Sequence, residues 1–276
     1  MELCLITDKA DLAVEAEAVG IERIMLDLER EGKAQRQRGR ELFLSDHRIE
    51  ALPRMRAALG HAALVVRVNP LGAQSAAEID AAIAGRADFV MLPYFHRLDE
   101  VRHFLALTRR RAKVILLVET RGAVEALPEV AGERGIDEIH IGLNDLCISL
   151  GNKVIFEPLC DGMIDDLAAV CERAGIPFGF GGIARLSRHD LPVRPERVLA
   201  EQIRLKARVG WLGRTFRGEM EDRRRPGELA DEVRLIRQAI EKWQSAPPSA
   251  FRQNREALVA EVAAWKERLG NMSRIG

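Results

Sequence analysis

Two carboxylates stand where a metal ion could be held. Glu119 follows the apolar run Val114–Val118, and Asp145 follows Glu138–Gly142 after Leu143 and Asn144. If these runs are neighbouring parallel strands, both side chains reach the same rim, within one coordination shell. Two oxygen donors with open positions suit Mg²⁺ or Mn²⁺, which keep water or substrate oxygens as further ligands. Each residue has a plainer alternative: Glu119 could pair with Arg121 or Arg67, and Asp145 could cap a short helix over 146–150. Their joint placement at adjacent strand ends favours the metal. Arg67 lies just inside the end of another apolar run, Leu64–Val68. A buried guanidinium needs an anion. A substrate carboxylate fits its bidentate geometry, and so does a structural pair with Asp27 or Glu29.

The elements that must position these groups are legible as an alternation. Short apolar runs at Leu3–Thr7, Arg23–Leu28, Leu64–Val68, Phe89–Leu92, Val114–Val118, Glu138–Gly142, Phe178–Gly182 and Gly210–Gly213 read as strands. Helical periodicity fills the stretches between them, at Ala10–Val19, Ile49–Leu59, Ala76–Ala84, Leu98–Arg110, Arg121–Arg134, Met163–Ala174 and Pro195–Ala207. Eight such strands predict a (β/α)8 TIM barrel, α/β in class, whose reactive groups gather at the carboxyl ends of the strands. A doubly wound open sheet is disfavoured, because no G-x-G-x-x-G follows the first strand. The rim then receives Asp27, Glu29 and Arg30 from strand 2, Arg67 from strand 3 and Pro93 from strand 4. Strand 5 adds Glu119, and strand 6 adds Leu143, Asn144 and Asp145. A long polar connection, 30–46, is placed to shape that rim.

Beyond the eighth strand, Arg223–Gln244 and Phe251–Leu269 read as further helices, so the chain divides into a barrel over 1–222 and a helical extension over 223–276. The last helix carries Phe251, Leu258, Val259, Val262, Trp265 and Leu269 at helical spacing, a stripe that packs on its own barrel or on a neighbouring subunit.

Bulk composition narrows the partners. The 276 residues are 47% hydrophobic, and 42 basic residues balance 42 acidic ones. A net charge of zero gives no long-range field to draw in nucleic acid or an anionic membrane. No apolar run approaches the roughly 20 residues that span a bilayer. The charges near Met1 come too early for a signal peptide. Four cysteines without metal-ligand spacing read as reduced thiols, and the expected setting is cytoplasmic.

Taken in order, D-L-E at 27–29, V-R-V-N-P at 66–70, M-L-P at 91–93, V-E-T-R at 118–121 and I-G-L-N-D-L at 141–146 resemble the HpcH/HpaI aldolase and citrate lyase β-subunit superfamily. Leu199–Leu205 and Gly213–Phe216 extend the likeness, which covers about residues 3–218. The resemblance implies a metal-dependent carbon–carbon lyase, in the first instance an aldolase that makes or cleaves a 4-hydroxy-2-oxo acid through a pyruvate enolate, with an aldehyde as the other partner. In that reading Glu119 and Asp145 ligate Mg²⁺ or Mn²⁺, and Arg67 binds the carboxylate and enolate oxygen. Asp27 and Glu29 orient Arg67 or a water on the cation, while Pro93, Leu143 and Asn144 border the substrate. A homo-oligomer is expected.

The departures matter equally. Aldolases of the family follow the strand-2 acids with a histidine, and here Arg30 occupies that place. Guanidinium does not lose its proton at working pH, so Arg30 suits a second anionic group of the substrate rather than a base. His47, His96 or water polarised by the cation could supply the base. Lys33, Arg36, Arg38 and Arg40, spaced through the strand-2 loop, keep open a CoA-thioester lyase or a citrate-forming condensing enzyme. Loss of the histidine also leaves open a non-catalytic barrel that binds a metabolite.

Overall fold

Eight short parallel strands pair in chain order and close on themselves: β1 (Glu2–Ile6), β2 (Arg23–Asp27), β3 (Ala63–Arg67), β4 (Phe89–Leu92), β5 (Lys113–Val118), β6 (Glu138–Ile141), β7 (Phe178–Ile183) and β8 (Val209–Leu212). The computed structural model describes residues 1–36, 45–213, 216 and 225–272. Arg38 and Arg40 of the strand-2 loop, Arg214 and Thr215 of the matched Gly213–Phe216 segment, and the expected helix start at Arg223 lie outside them. The barrel expected from the alternation is the fold observed, and each strand falls within a residue or so of its expected position.

Period-two alternation sorts the strand residues. One parity, including Leu5, Leu26, Leu64, Val66 and Leu116, meets the helices in the larger core. The other parity fills the barrel interior with Met25, Val65, Met91, Ile115 and Leu117. Two residues past Met25, Val65 and Leu117 come Asp27, Arg67 and Glu119. The same parity therefore carries them inward at the carboxyl rim. Register completes the placement: β2 and β3 align Asp27 with Arg67, and β5 and β6 align Val118 with Ile141, one residue short of Glu119 and Gly142.

At the amino end of the interior, Arg23 holds Glu2 and Glu138, each at 2.7 Å. His140 stacks on Trp211 with ring centroids 3.8 Å apart. Burial, then the Arg23 and Arg67 charges, keep the His140 imidazole well below its ordinary pKa.

The last helix starts earlier than expected, at Pro248, and runs to Met272. Leu258 and Val262 are buried, Trp265 and Leu269 pack against the core, and Val259 is exposed. The expected stripe is thus corrected at Val259, one position off the 3–4 spacing that 251, 258, 262, 265 and 269 keep. Buried Asn254 fastens the helix to its own barrel, donating from Nδ2 to the Arg197 carbonyl and to Glu201, both at 3.1 Å. All four cysteines are free thiols. Among the described residues no helix is long and apolar enough to cross a membrane.

Candidate active site

The rim of β2, β3, β5 and β6 collects a buried ionic cluster. Arg67 donates from Nε to Asp27 Oδ1 at 2.7 Å and from Nη2 to Oδ2 at 2.6 Å. Its Nη1 stands 3.5 Å from Glu29. This is the structural pair anticipated for Arg67, yet it uses only two of the five guanidinium N–H groups, and Arg67 lines the cavity described below. Burial alone would raise the Asp27 carboxyl. The Arg67 charge, its hydrogen bonds and Lys33 outweigh that and hold it well below the usual carboxylate range.

Glu119 is fixed from two sides. Its Oε1 accepts the Tyr94 N–H at 3.0 Å, and Tyr94 adopts a left-handed φ of 51°. On the other side, a Cβ at Gly142 would lie 2.6 Å from Glu119 Oε2, so any side chain at 142 would displace the carboxylate. Arg121, an expected partner, is exposed and forms no ion pair with Glu119 among the described contacts.

Asp145 does not cap a helix over 146–150. The helix runs Leu143–Leu150 with Gly142 as its N-cap, because the Gly142 carbonyl already accepts from Leu146 N at 3.0 Å. Asp145 is therefore the third helical residue, buried, and its Oδ1 accepts from Asn144 Nδ2 at 3.2 Å.

One oxygen each from Glu29, Glu119 and Asp145 lie within 4.8 Å of one another. Burial first, then the Glu29 and Asp145 charges, push the Glu119 carboxyl well above its usual range; Arg67 and Lys33 pull it only part of the way back. An all-oxygen donor set with excess negative charge could hold a hard divalent cation. Glu29 was expected as a companion of Arg67, and here it also makes the pair of Glu119 and Asp145 a triad.

Lys33 is the group the sequence concealed. Read there as one of several loop cations, it is buried, with Nζ 2.9 Å from Glu29 and 3.5 Å from Asp27. It is therefore withdrawn from the exposed cluster that a CoA phosphate would need. The one available signal was its i,i+4 spacing from Glu29, which precedes the short helix Lys33–Arg36.

Arg30 stays outside the cluster. Asn69 Oδ1 accepts the backbone N–H groups of Arg30 and Glu31, while the exposed guanidinium donates to the His47 carbonyl at 3.3 Å. His47 is buried behind Asp27, and its Nδ1 accepts the Asp27 N–H at 3.0 Å. His96 is exposed, edge-on to Tyr94. Pro93 is buried at the end of β4, whereas Leu143 and Asn144 border the cavity.

That cavity has a volume of about 920 Å³ and is entered by Asp27, Lys33, Arg67, Glu119 and Asp145. Trp211 also lines it, with the Arg67 guanidinium carbon 5.9 Å from the ring centroid. Nothing in the run Gly210–Gly213 distinguished a cavity-facing Trp211 from a core tryptophan.

The profile of the HpcH/HpaI aldolase/citrate lyase family matches residues 3–156, a span that contains every cluster residue named above. The chain belongs to this family. No curated protein sequence matches it. Among solved structures, an HpcH/HpaI aldolase from Desulfitobacterium hafniense DCB-2 superposes with a TM-score of 0.61 at 12% identity, covering 90% of this chain and 94% of that one. An HpcH/HpaI aldolase/citrate lyase family protein from Burkholderia cenocepacia J2315 gives 0.57 at 17%, covering 88% and 95%. The citrate lyase β subunit from Mycobacterium tuberculosis gives 0.56 at 18%, covering 89% and 97%. At such identities these HpcH/HpaI likenesses establish the barrel, and the chemistry has to be argued from this chain's own residues.

Proposed function

We propose that the protein is a divalent-metal-dependent aldolase that makes or breaks the C3–C4 bond of a 4-hydroxy-2-oxo acid, with pyruvate as the enolate half and an aldehyde as the other. The observation that carries this reading is the convergence of Glu29, Glu119 and Asp145 beside Arg67, all but Glu29 lining one cavity. In this reading the triad holds Mg²⁺ or Mn²⁺. The ion supplies Lewis acidity toward the 2-oxo oxygen, where negative charge grows as the bond breaks.

The chain's own groups do the rest. Asp27 fixes the guanidinium plane, and in this reading Arg67 binds the substrate carboxylate through N–H groups that Asp27 does not take. Lys33 and Arg67 limit the repulsion on Glu29. In the cleavage direction the C4 hydroxyl gives up its proton, and the C3–C4 electron pair passes into the enolate. C4 leaves as the aldehyde carbonyl, and C3 takes up a proton to give pyruvate. Arg30, exposed and bonded to the His47 carbonyl, contributes positive charge at the rim rather than proton transfer.

Burial of Lys33 against Glu29 weighs against the CoA-thioester reading. The test is pyruvate release from a 4-hydroxy-2-oxo acid. Release that requires Mg²⁺ or Mn²⁺ and stops with EDTA is expected; undiminished release in EDTA contradicts the proposal.

A further inference from the structure

The cavity is far larger than a three-carbon acid fills, and its two sides differ in chemistry. Volumes of this order accommodate drug-sized ligands. The charged groups Asp27, Lys33, Arg67, Glu119 and Asp145 all come from the side of β2, β3, β5 and β6. The part of the lining supplied by residues from 153 onward includes Phe156, Leu191, Val193, Val198, Trp265 and Leu269. Exposed Lys153 is its one charged lining residue among those described.

Two features build this apolar annex. The first is the glycine pair at the end of β7. Gly181 and Gly182 place no side chain between the carboxylates and the annex. At Gly182, with φ of +102°, a Cβ would lie 3.1 Å from the Phe156 ring and 3.5 Å from Val198. A side chain there would narrow the passage and strain the backbone.

The second feature is Glu157. Its Oε1 accepts the Lys153 and Val154 N–H groups at 2.7 and 2.8 Å, and its Oε2 pairs with Lys266 of the last helix. One carboxylate thus locks the segment bearing Phe156 to the helix bearing Trp265 and Leu269. Phe156 and Trp265 meet with ring centroids 6.4 Å apart. Trp265 and Leu269 are only half-buried, so an apolar ligand group seated there removes their surface from water.

From this geometry we infer the substrate class: a 4-hydroxy-2-oxo acid whose C4 bears a large alkyl or aryl group, seated against Phe156, Trp265 and Leu269. Equivalently, the aldehyde partner is a bulky apolar one. The inference rests on the aldolase reading above, and its test separates the two. Condensation of pyruvate is measured with hexanal and with acetaldehyde, alongside pyruvate C3 proton exchange by the wild-type protein. n-Hexanol binding is followed independently by tryptophan fluorescence.

The wild type is expected to favour hexanal in kcat/KM by at least about tenfold, the scale of discrimination by apolar pockets. Trp265→Ala and Leu269→Ala should each shrink that ratio, mainly by raising KM for hexanal, while Trp265→Phe largely keeps it. Equal use of the two aldehydes, or a ratio intact in both alanine variants, overturns the annex. Hexanol binding without proton exchange overturns the aldolase reading alone. Absence of both overturns the two together.

Discussion

Asp27 and Arg67, paired across β2 and β3 in strand register, form a two-point contact with Nε–Oδ1 at 2.7 Å and Nη2–Oδ2 at 2.6 Å. Both side chains are buried. Parity points them into the barrel, register sets them opposite one another, and charge joins them, so the guanidinium is oriented before any substrate arrives. Asp27→Asn can accept only one of the two bonds and leaves Arg67 without its full counter-charge. Such a change in a buried pair costs about 3 kcal/mol. Urea unfolding should show a loss of this size, together with impaired pyruvate binding.

Lys33 competes with a cation for Glu29, and the competition has two measurable signs. Without metal, Lys33→Met takes from buried Glu29 the cation 2.9 Å away and should lower stability by about 2–3 kcal/mol. With Mn²⁺ present that loss should shrink, because binding to the native state stabilises it. Denaturant midpoints in EDTA and in excess Mn²⁺ check both signs.

Glu119 should govern metal affinity most strongly, since it is held from both sides, by Tyr94 and by the bare backbone of Gly142. Altering a residue that merely supports a metal ligand weakens binding by roughly 10–100-fold. Glu119→Gln, which removes a ligand charge, should do no less. Isothermal titration with Mn²⁺ reads this directly, and Gly142→Ala should weaken binding in the same direction.

His140, aligned in register with Leu117 below the rim, supplies a pH dependence of its own. Its folded-state pKa lies well below 6.5, because burial and then Arg23 and Arg67 disfavour the imidazolium. The unfolded chain therefore binds a proton that the folded one refuses. The resulting stability is fully present above about pH 6.5 and is lost as pH falls toward the folded-state value. One such group removes about 1 kcal/mol between pH 6.5 and 5.5. His140→Phe, which keeps a ring against Trp211, should flatten that part of the stability profile.

The barrel was legible because its strands are short, β-branched runs separated by helical periodicity, a pattern that depends on local chemistry. Glu119, Asp145, Asp27 and Arg67 were legible as candidates because strand ends in such a fold converge. Three features were not. Asp145 lies inside a helix because Gly142, rather than a polar side chain, starts it, and the sequence shows no cap there. Lys33 reads as a surface cation, and its i,i+4 spacing from Glu29 is too common a pattern to show that the pair is buried. The annex joins residues near 156 and 265, brought together by Glu157 and Lys266 across more than a hundred positions. Such pairings between distant segments leave no periodic trace.

The most direct test of the account is deuterium uptake at the pyruvate methyl group in D2O, read by mass spectrometry. With Mg²⁺ or Mn²⁺ the wild-type protein should exchange these protons well above the buffer rate. EDTA should abolish the exchange, and Glu119→Gln should slow it by about 100-fold or more, the scale of removing one stabilising group at a developing oxyanion. Exchange no faster than buffer in the metal-loaded wild type, or an undiminished rate in Glu119→Gln, would contradict the proposed enolate chemistry.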